Sequence, residues 1–277
     1  MLPEAFLSRM KAQLGIEYGD FLKSLERPRA VALRFNPLKG QSAELEFVGE
    51  NVPWEPMGYY YDPQARPGLH PYHEAGVYYL QEASAMAPVM LLDPQPGERV
   101  CDLCAAPGGK TLSAALDMKN EGRIIAFDLH ENKLSLIRRT AASLGISILE
   151  VQARDARNPD PALIGQADRV LCDAPCSGLG VIGKKPDIKY KSLDSIRALP
   201  EIQYGILCGA AQYVRPGGTL VYSTCTLNPD ENEHIVTRFL TEHPDFTAVD
   251  FDLGTAGGSM DGMRTFYPHL DGCDGFF

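Results

Sequence analysis

The sequence predicts an α/β fold: a doubly wound, mostly parallel sheet with helices on both faces, behind a small α+β N-terminal domain. Three observations carry that expectation. From about residue 80 short apolar runs alternate with stretches of helical period, the pattern of successive strand–helix units. These runs lead into loops that hold Gly108, Gly109, Asp128, Asp155, Asp173 and Cys225, and in parallel sheets ligands gather beyond the carboxyl ends of the strands. The first 70 residues lack the alternation and are punctuated by proline and aromatic residues. The expected division is therefore 1–70 and 71–277.

Two helical stretches open the chain, near 3–13 and 19–26. The apolar run Ala30-Val31-Ala32-Leu33-Arg34-Phe35 follows and is stopped by Asn36-Pro37. An aromatic segment runs from Val52-Pro53-Trp54 to Tyr59-Tyr60-Tyr61-Asp62-Pro63, and residues 64–71, rich in Pro and Gly, connect it to the larger domain. There, 99–104 reads as a strand, 109–118 as a helix and 122–127 as a strand ending at Asp128. The next helix puts Leu134, Ile137, Ala141 and Leu144 on one face and stops at Gly145, a usual terminating residue. Strands follow at 148–151, leading to Asp155, and at 169–172, ending at Asp173. After a long loop, a helix at 199–214 ends at Pro216-Gly217-Gly218 and a fifth strand spans 219–223.

Composition bounds the function classes. At 277 residues the chain forms one or two domains whose core needs no disulfide or metal staple. No apolar run approaches the roughly 18–20 residues of a membrane-spanning helix. The N-terminus lacks the basic, apolar, small-residue order of a secretory signal. Seven cysteines, an odd and scattered set, suit a reducing compartment. A soluble, cytoplasmic, monomeric protein is expected. The net charge of −10 argues against a uniformly basic nucleic-acid surface. Local basic clusters remain: Arg27, Arg29 and Arg34; Arg138 and Arg139; Lys184, Lys185, Lys189 and Lys191. Charge alone does not separate these from solvated faces.

The loop Cys104-Ala105-Ala106-Pro107-Gly108-Gly109-Lys110-Thr111 lets backbone approach a ligand at a helix N-terminus. A dinucleotide fingerprint would need G-x-G-x-x-G, which is absent, and a P-loop would need glycine where Cys104 stands. A methyl-donor site is the third reading, since no pyrophosphate then has to be wrapped. Asp128, 19 residues after Gly109, suits the ribose hydroxyls of such a donor, and Asp155 suits its adenine edge.

Two cysteines stand at strand ends, in Asp173-Ala174-Pro175-Cys176-Ser177-Gly178 and Ser223-Thr224-Cys225-Thr226. Asn228-Pro229-Asp230-Glu231 reads as a helix start with an Asn cap and a Glu three residues on. Cys225 would then lie near positive helix ends, which lower a thiol pKa. Cys101, Cys172 and Cys208 read as small core hydrophobes. Cys101-x-x-Cys104 is half a zinc site without a second ligand pair, so no metal is expected.

Taken in this order on this fold, the three motifs at 104–111, 173–178 and 223–226 resemble those of the Nop/Sun family of RNA cytosine-5 methyltransferases. Gly76-Val77-Tyr78-Tyr79-Leu80-Gln81-Glu82-Ala83-Ser84 is similar to the segment that precedes the cofactor loop there. The resemblance covers about residues 28–277. It implies a Rossmann-like methyltransferase core, S-adenosylmethionine as donor and an RNA cytosine as acceptor. It also implies Cys225 as nucleophile, Cys176 as helper in product release and Asp173 as partner of the base. The donor-binding set on this reading is Cys104, Ala105, Ala106, Pro107, Gly108, Gly109, Lys110, Asp128, Lys133, Asp155 and Asp173; the RNA-binding set is Lys184, Lys185 and Lys189. One departure is Gly183, where many members carry Arg, although Lys184 and Lys185 adjoin it. Asp274-Gly275-Phe276-Phe277 resembles the start of the family's last strand, and a C-terminal extension is expected to be missing from the chain.

The chemistry requires these residue types. Carbon 5 of cytosine is too poor a nucleophile to take a methyl group directly. A thiolate adding to carbon 6 makes carbon 5 an enamine carbon. Asp173 at the ring N3 edge would stabilise the charge that develops there. The target base must leave its stack, and loop 183–191 with the aromatic N-terminal segment is expected to grip the RNA through phosphate contact and stacking. Ribosomal RNA is the favoured substrate and transfer RNA the second. A non-catalytic RNA-binding assembly factor is the rival reading, and a P-loop nucleotidase a distant third.

Overall fold

The computed structural model describes residues 2–40, 45–191, 193–254 and 257–277. The chain opens with helices α1 (Glu4–Leu14) and α2 (Tyr18–Glu26), then strands β1 (Ala32–Phe35), β2 (Val48–Val52) and β3 (Glu55–Tyr61). A one-turn helix α3 (Pro71–Glu74) and strand β4 (Tyr78–Leu80) follow. The larger part runs α4 (Ala87–Leu92), β5 (Arg99–Asp102), α5 (Gly109–Asp117), β6 (Arg123–Asp128), α6 (Glu131–Leu144), β7 (Leu149–Ala153) and β8 (Ala167–Asp173). It continues through α7 (Leu193–Arg197), α8 (Leu199–Tyr213), β9 (Val214–Ser223), α9 (Glu233–Glu242) and α10 (Pro268–Asp271).

The order of the larger sheet is β7-β6-β5-β8-β9, and every neighbouring pair is parallel. This is the expected doubly wound sheet. Its strands are apolar on both faces because helices cover both. On one face Ile206, Leu207 and Ala210 of α8 and Ile235 and Phe239 of α9 pack on Phe127, Val170 and Cys172. On the other, Val89 and Leu92 of α4, Leu112 and Ala115 of α5 and Leu144 of α6 pack on Val100, Ile124 and Leu171. The chain winds outward from β5 in both directions, so the loops after β5 and β8 part at a switch point where a crevice opens. β9 begins directly after α8, earlier than expected. Pro216-Gly217-Gly218 lies inside it as an irregularity in its pairing with β8, accommodated by Gly217 at φ +75°.

The smaller sheet is antiparallel, β2-β3-β1-β4. Its fourth strand lies past the division expected at residue 70, because β1 needs a partner on its second edge and pairs Leu33 with Leu80 and Phe35 with Tyr78. Helices α1 and α2 instead bury Phe6, Met10, Leu14 and Phe21 against Ile182, Ile188 and Leu227 of the larger part.

Two N-terminal expectations need correction. Trp54 is buried, donates from Nε1 to Ala83 O at 2.8 Å and packs on Phe266. Tyr59 and Tyr61 pack with Leu33, Phe35 and Tyr78. Trp54 is thus core rather than a stacking face, since a small antiparallel sheet needs one apolar face, while Tyr59, Tyr60 and Tyr61 stay half-buried. Arg34 is no surface cation either. It is 1% exposed and pairs with Glu55 of β3 at 3.2 Å and with Asp117 at the end of α5, so it ties the two sheets' layers together. Among the described residues no helix is long and apolar enough to cross a membrane.

Breaking a buried ion pair by removing one partner costs about 3–5 kcal/mol. Arg34→Ala should therefore lower the unfolding free energy at pH 7 by about that much in urea titrations. Burial already pushes the Asp117 carboxyl up to about 6 despite the pull of Arg34. Without the guanidinium it should protonate still nearer neutrality, so the deficit should shrink as pH falls toward 5. A deficit independent of pH would assign the loss to packing alone.

Candidate active site

The loop after β5 is held from below. Ala105 N donates to Phe127 O at 2.9 Å, Ala106 N to Asp128 Oδ2 at 3.1 Å, and His130 N to Asp128 Oδ1 at 2.9 Å. Gly108 precedes α5 at φ +110°, and a Cβ there would press on Ile137 at 3.2 Å, so glycine lets the turn lie close on α6. Asp102, the last residue of β5, is buried, accepts from Thr111 Oγ1 at 2.6 Å, and has its carboxyl pushed up to about 7 by burial. Carboxylates surround this loop. Burial first, then Asp102, Asp173, Asp128 and Asp155, hold the Cys104 thiol well above its ordinary range.

Asp128 is therefore a loop anchor as well as the expected ribose acid. Asp155 lies two residues beyond β7, and its carboxylate is gripped by Arg157 through Nε at 3.0 Å and Nη2 at 2.7 Å. Lys133 is exposed in the first turn of α6. Lys110 turns away from the loop it belongs to and meets Asp173 Oδ2 at 2.8 Å, while Ser223 Oγ donates to Asp173 Oδ1 at 2.8 Å.

The two strand-end cysteines come together. Cys176 Sγ and Cys225 Sγ are 3.2 Å apart, well beyond a disulfide and within reach of an S–H···S hydrogen bond. The pair is asymmetric. The Cys225 thiol is held below its ordinary value, chiefly by the S–H of Cys176 and then by Lys110 and Lys185, against burial and Asp173. Cys176 is held above its ordinary value by donating to Cys225, by burial, and by the charges of Glu231 and Asp173. The lowered thiol matches the expectation for Cys225, but the cause differs. The expected helix at Asn228 begins as a single 3-10 turn, Pro229–Glu231, and α9 starts only at Glu233.

Glu231, expected to close a capping box, points inward and is fully buried. It accepts from Ser177 N at 2.8 Å, Ser177 Oγ at 2.6 Å, Gln203 Nε2 at 2.9 Å and Asn228 Nδ2 at 2.9 Å. Lys191 Nζ donates to Ser177 O at 2.8 Å. Behind these loops Phe277 exchanges backbone hydrogen bonds with Thr224, and Gly275 N donates to Gly180 O at 3.0 Å. A Cβ on Gly180 would stand 2.0 Å from Gly275 O, so no other residue fits. Sequence reasoning missed Asp102, Ser177, Gln203 and the inward role of Glu231; only the acid three after a cap residue was visible.

Of the expected RNA contacts, Lys184 pairs with Asp274 at 3.7 Å and Lys185 is exposed; the side chain of Lys189 lies outside the described residues. Cys101 and Cys172 are buried as expected, whereas Cys208 is partly exposed and meets His243 Nε2 at 3.5 Å. Among the described residues no group of three or more His, Cys, Asp or Glu is placed to hold a metal ion.

The asymmetry of the thiols is measurable by iodoacetamide labelling across pH, read by mass spectrometry. Cys225 should reach half its maximal rate at a lower pH than Cys176. Cys176→Ala should move the Cys225 midpoint upward, because the donated hydrogen bond is lost. Coincident midpoints in the parent protein would show the pair to be symmetric.

Residues 89–277 match the family described as 16S rRNA methyltransferase RsmB/F, and residues 2–83 match the N-terminal domain of 16S rRNA methyltransferase RsmF. The probable ribosomal RNA small subunit methyltransferase B of Bacillus subtilis is 39% identical, over 90% of this chain and 59% of its own length. The human 28S rRNA (cytosine(4447)-C(5))-methyltransferase is 36% identical, over 98% of this chain and 39% of its own. The chain thus spans no more than 59% of either curated relative. A solved methyltransferase homolog protein from Pyrococcus horikoshii superposes with a TM-score of 0.80 at 28% identity, covering 99% of this chain and 97% of that one. Matched along both its N-terminal segment and its larger sheet, the chain belongs to the RsmB/F family of 16S rRNA methyltransferases.

Proposed function

We propose that this chain transfers a methyl group from S-adenosylmethionine to carbon 5 of a cytosine in ribosomal RNA, acting in the cytoplasm. The observation that carries the reading is the pair of thiols, 3.2 Å apart beside Asp173 and Lys110. A non-catalytic assembly factor has no need of two placed thiols. The names of the relatives support ribosomal RNA over transfer RNA, and the human one supports carbon 5 of cytosine.

The loop after β5 fits a cationic donor. Four aspartates lie around Cys104 against two cations, Lys110 on Asp173 and Arg157 on Asp155. Such a field attracts a sulfonium and repels a polyphosphate, which disfavours a nucleotidase. When bound, S-adenosylmethionine supplies an electrophilic methyl group on a positively charged sulfur. Asp128 would hold its ribose and Asp155 its adenine edge. Cys104, Ala105, Ala106, Pro107, Gly108 and Gly109 would give it a wall of small side chains, and Lys133 would lie at the rim.

On this reading Cys225 adds as thiolate to carbon 6 of the flipped cytosine while N3 takes a proton from water, and the Asp173 carboxylate, steadied by Ser223 and Lys110, accepts a hydrogen bond from that N3–H. Carbon 5 then takes the methyl group. Once its proton is removed, the Cys225–carbon 6 bond breaks and the electron pair returns to sulfur, where the S–H of Cys176 stabilises it. Lys184, Lys185 and Lys189 contact phosphates, and the exposed Tyr190 offers the stacking face that Trp54 does not.

Asp128→Ala should weaken S-adenosylmethionine binding by roughly 1.5–3 kcal/mol, the range for lost charged hydrogen bonds. Equal calorimetric affinities for parent and variant would remove Asp128 from the donor site. The thiols separate on denaturing gels with labelled ribosomal RNA. Cys225→Ser should abolish both methyl transfer and adduct, whereas Cys176→Ser should permit attack, stall release and accumulate a denaturant-resistant adduct. Trapping only in Cys225→Ser would reverse the roles, and no adduct in any variant would exclude covalent catalysis.

A further inference from the structure

We propose that Glu231 is a positioning residue of the active site, clamping the Cys176 loop to the Cys225 loop so that one thiol can donate to the other. The inference rests on the thiol chemistry proposed above. Three features single Glu231 out. It is a fully buried carboxylate, and every group that meets it is a neutral donor: the Ser177 amide and hydroxyl, the Gln203 amide and the Asn228 amide. Burying an ionised carboxylate is costly unless several donors satisfy it, so the site is built around an acceptor-only group.

The donors also come from three separate elements. Ser177 adjoins Cys176, Asn228 lies three residues after Cys225, and Gln203 belongs to α8. Gln203 Nε2 further donates to Pro175 O at 3.0 Å, so the peptide on the other side of Cys176 is held through the same amide. Ser177 Oγ and Thr226 Oγ1 are 2.7 Å apart, linking the residues that directly follow the two cysteines. Glu231 reaches no thiol itself; it acts through these neighbours. Its negative charge additionally opposes ionisation of Cys176, which keeps that thiol a donor.

The test is the labelling profile of both thiols in Glu231→Gln, which needs neither RNA nor methyl donor. The variant keeps the shape but turns an NH2 toward groups that are themselves donors. The two midpoints should converge, and Cys225 should be alkylated about tenfold more slowly at pH 7, the change that a one-unit rise in thiol pKa produces. Ser177→Ala, which removes one donor to Glu231 together with the hydroxyl contact to Thr226 and leaves Glu231 in place, should move the midpoints the same way by less. A folded Glu231→Gln whose midpoints stay at parental values would overturn the proposal, even if methyl transfer fell. Should Glu231→Gln not fold, an unchanged profile in Ser177→Ala would do the same. If the covalent mechanism itself is wrong, the midpoints still converge while the parent forms no RNA adduct, so the two failures are distinguishable.

Discussion

Lys110 and Asp173 meet at 2.8 Å across the gap between β5 and β8, with the lysine side chain 13% exposed. An ammonium so far from water needs a partner, and here the partner sits on the other half of the doubly wound sheet. The ion pair therefore closes the switch point that the topology opens. It draws the start of α5 toward the loop that carries Cys176. Ser223 takes the second oxygen of Asp173, which registers the end of β9 and hence Cys225. Phe276 lies 5.0 Å from the same ammonium, so the C-terminal segment is seated on the pair as well. Acidic donor loop and thiol loops meet through this one contact.

The groups proposed to do chemistry stand on loops, and loops hold geometry only when something packs behind them. Here the supports come from far along the chain. From the N-terminus, α1 and α2 bury Phe6, Met10 and Phe21 against Ile182, Ile188 and Leu227, each apolar side chain contributing about 1.5–3 kcal/mol. From the other end, Phe277 and Gly275 pair with Thr224 and Gly180. Arg34 adds an electrostatic tie between the small sheet and α5. The small N-terminal region thus has a mechanical role irrespective of any RNA contact.

Two side chains of identical chemistry acquire different characters from their neighbours alone. Cys225 faces Lys110, Lys185 and a donated S–H; Cys176 faces Glu231 and keeps its proton, which it shares only as a hydrogen bond. The division follows from hydrogen bonding and nearby charge, two of the three causes that shift a pKa, while burial acts on both thiols in the same direction. A helix terminus, the cause suggested by Asn228-Pro229, is not what distinguishes them.

The doubly wound sheet was legible in the sequence because period and loop composition are local properties: each strand carries its own apolar run and each turn its own glycine or aspartate. For the same reason the motifs at 104–111, 173–178 and 223–226 read as one site from the sequence alone, since parallel strands must present their carboxyl ends together. What only the tertiary structure decided are the partners of charged and aromatic groups. Arg34 reads as a surface cation until Glu55 and Asp117 are brought to it. Trp54 reads as a stacking face until Phe266, more than 200 residues away, covers it. Glu231 reads as a helix cap until Ser177 and Gln203 turn it inward. Strand β4 joins the small sheet only because β1 offers it an edge. Secondary structure and turn chemistry depend on neighbours in sequence, whereas burial and hydrogen-bond pairing depend on neighbours in space, and those exist only once the chain has folded.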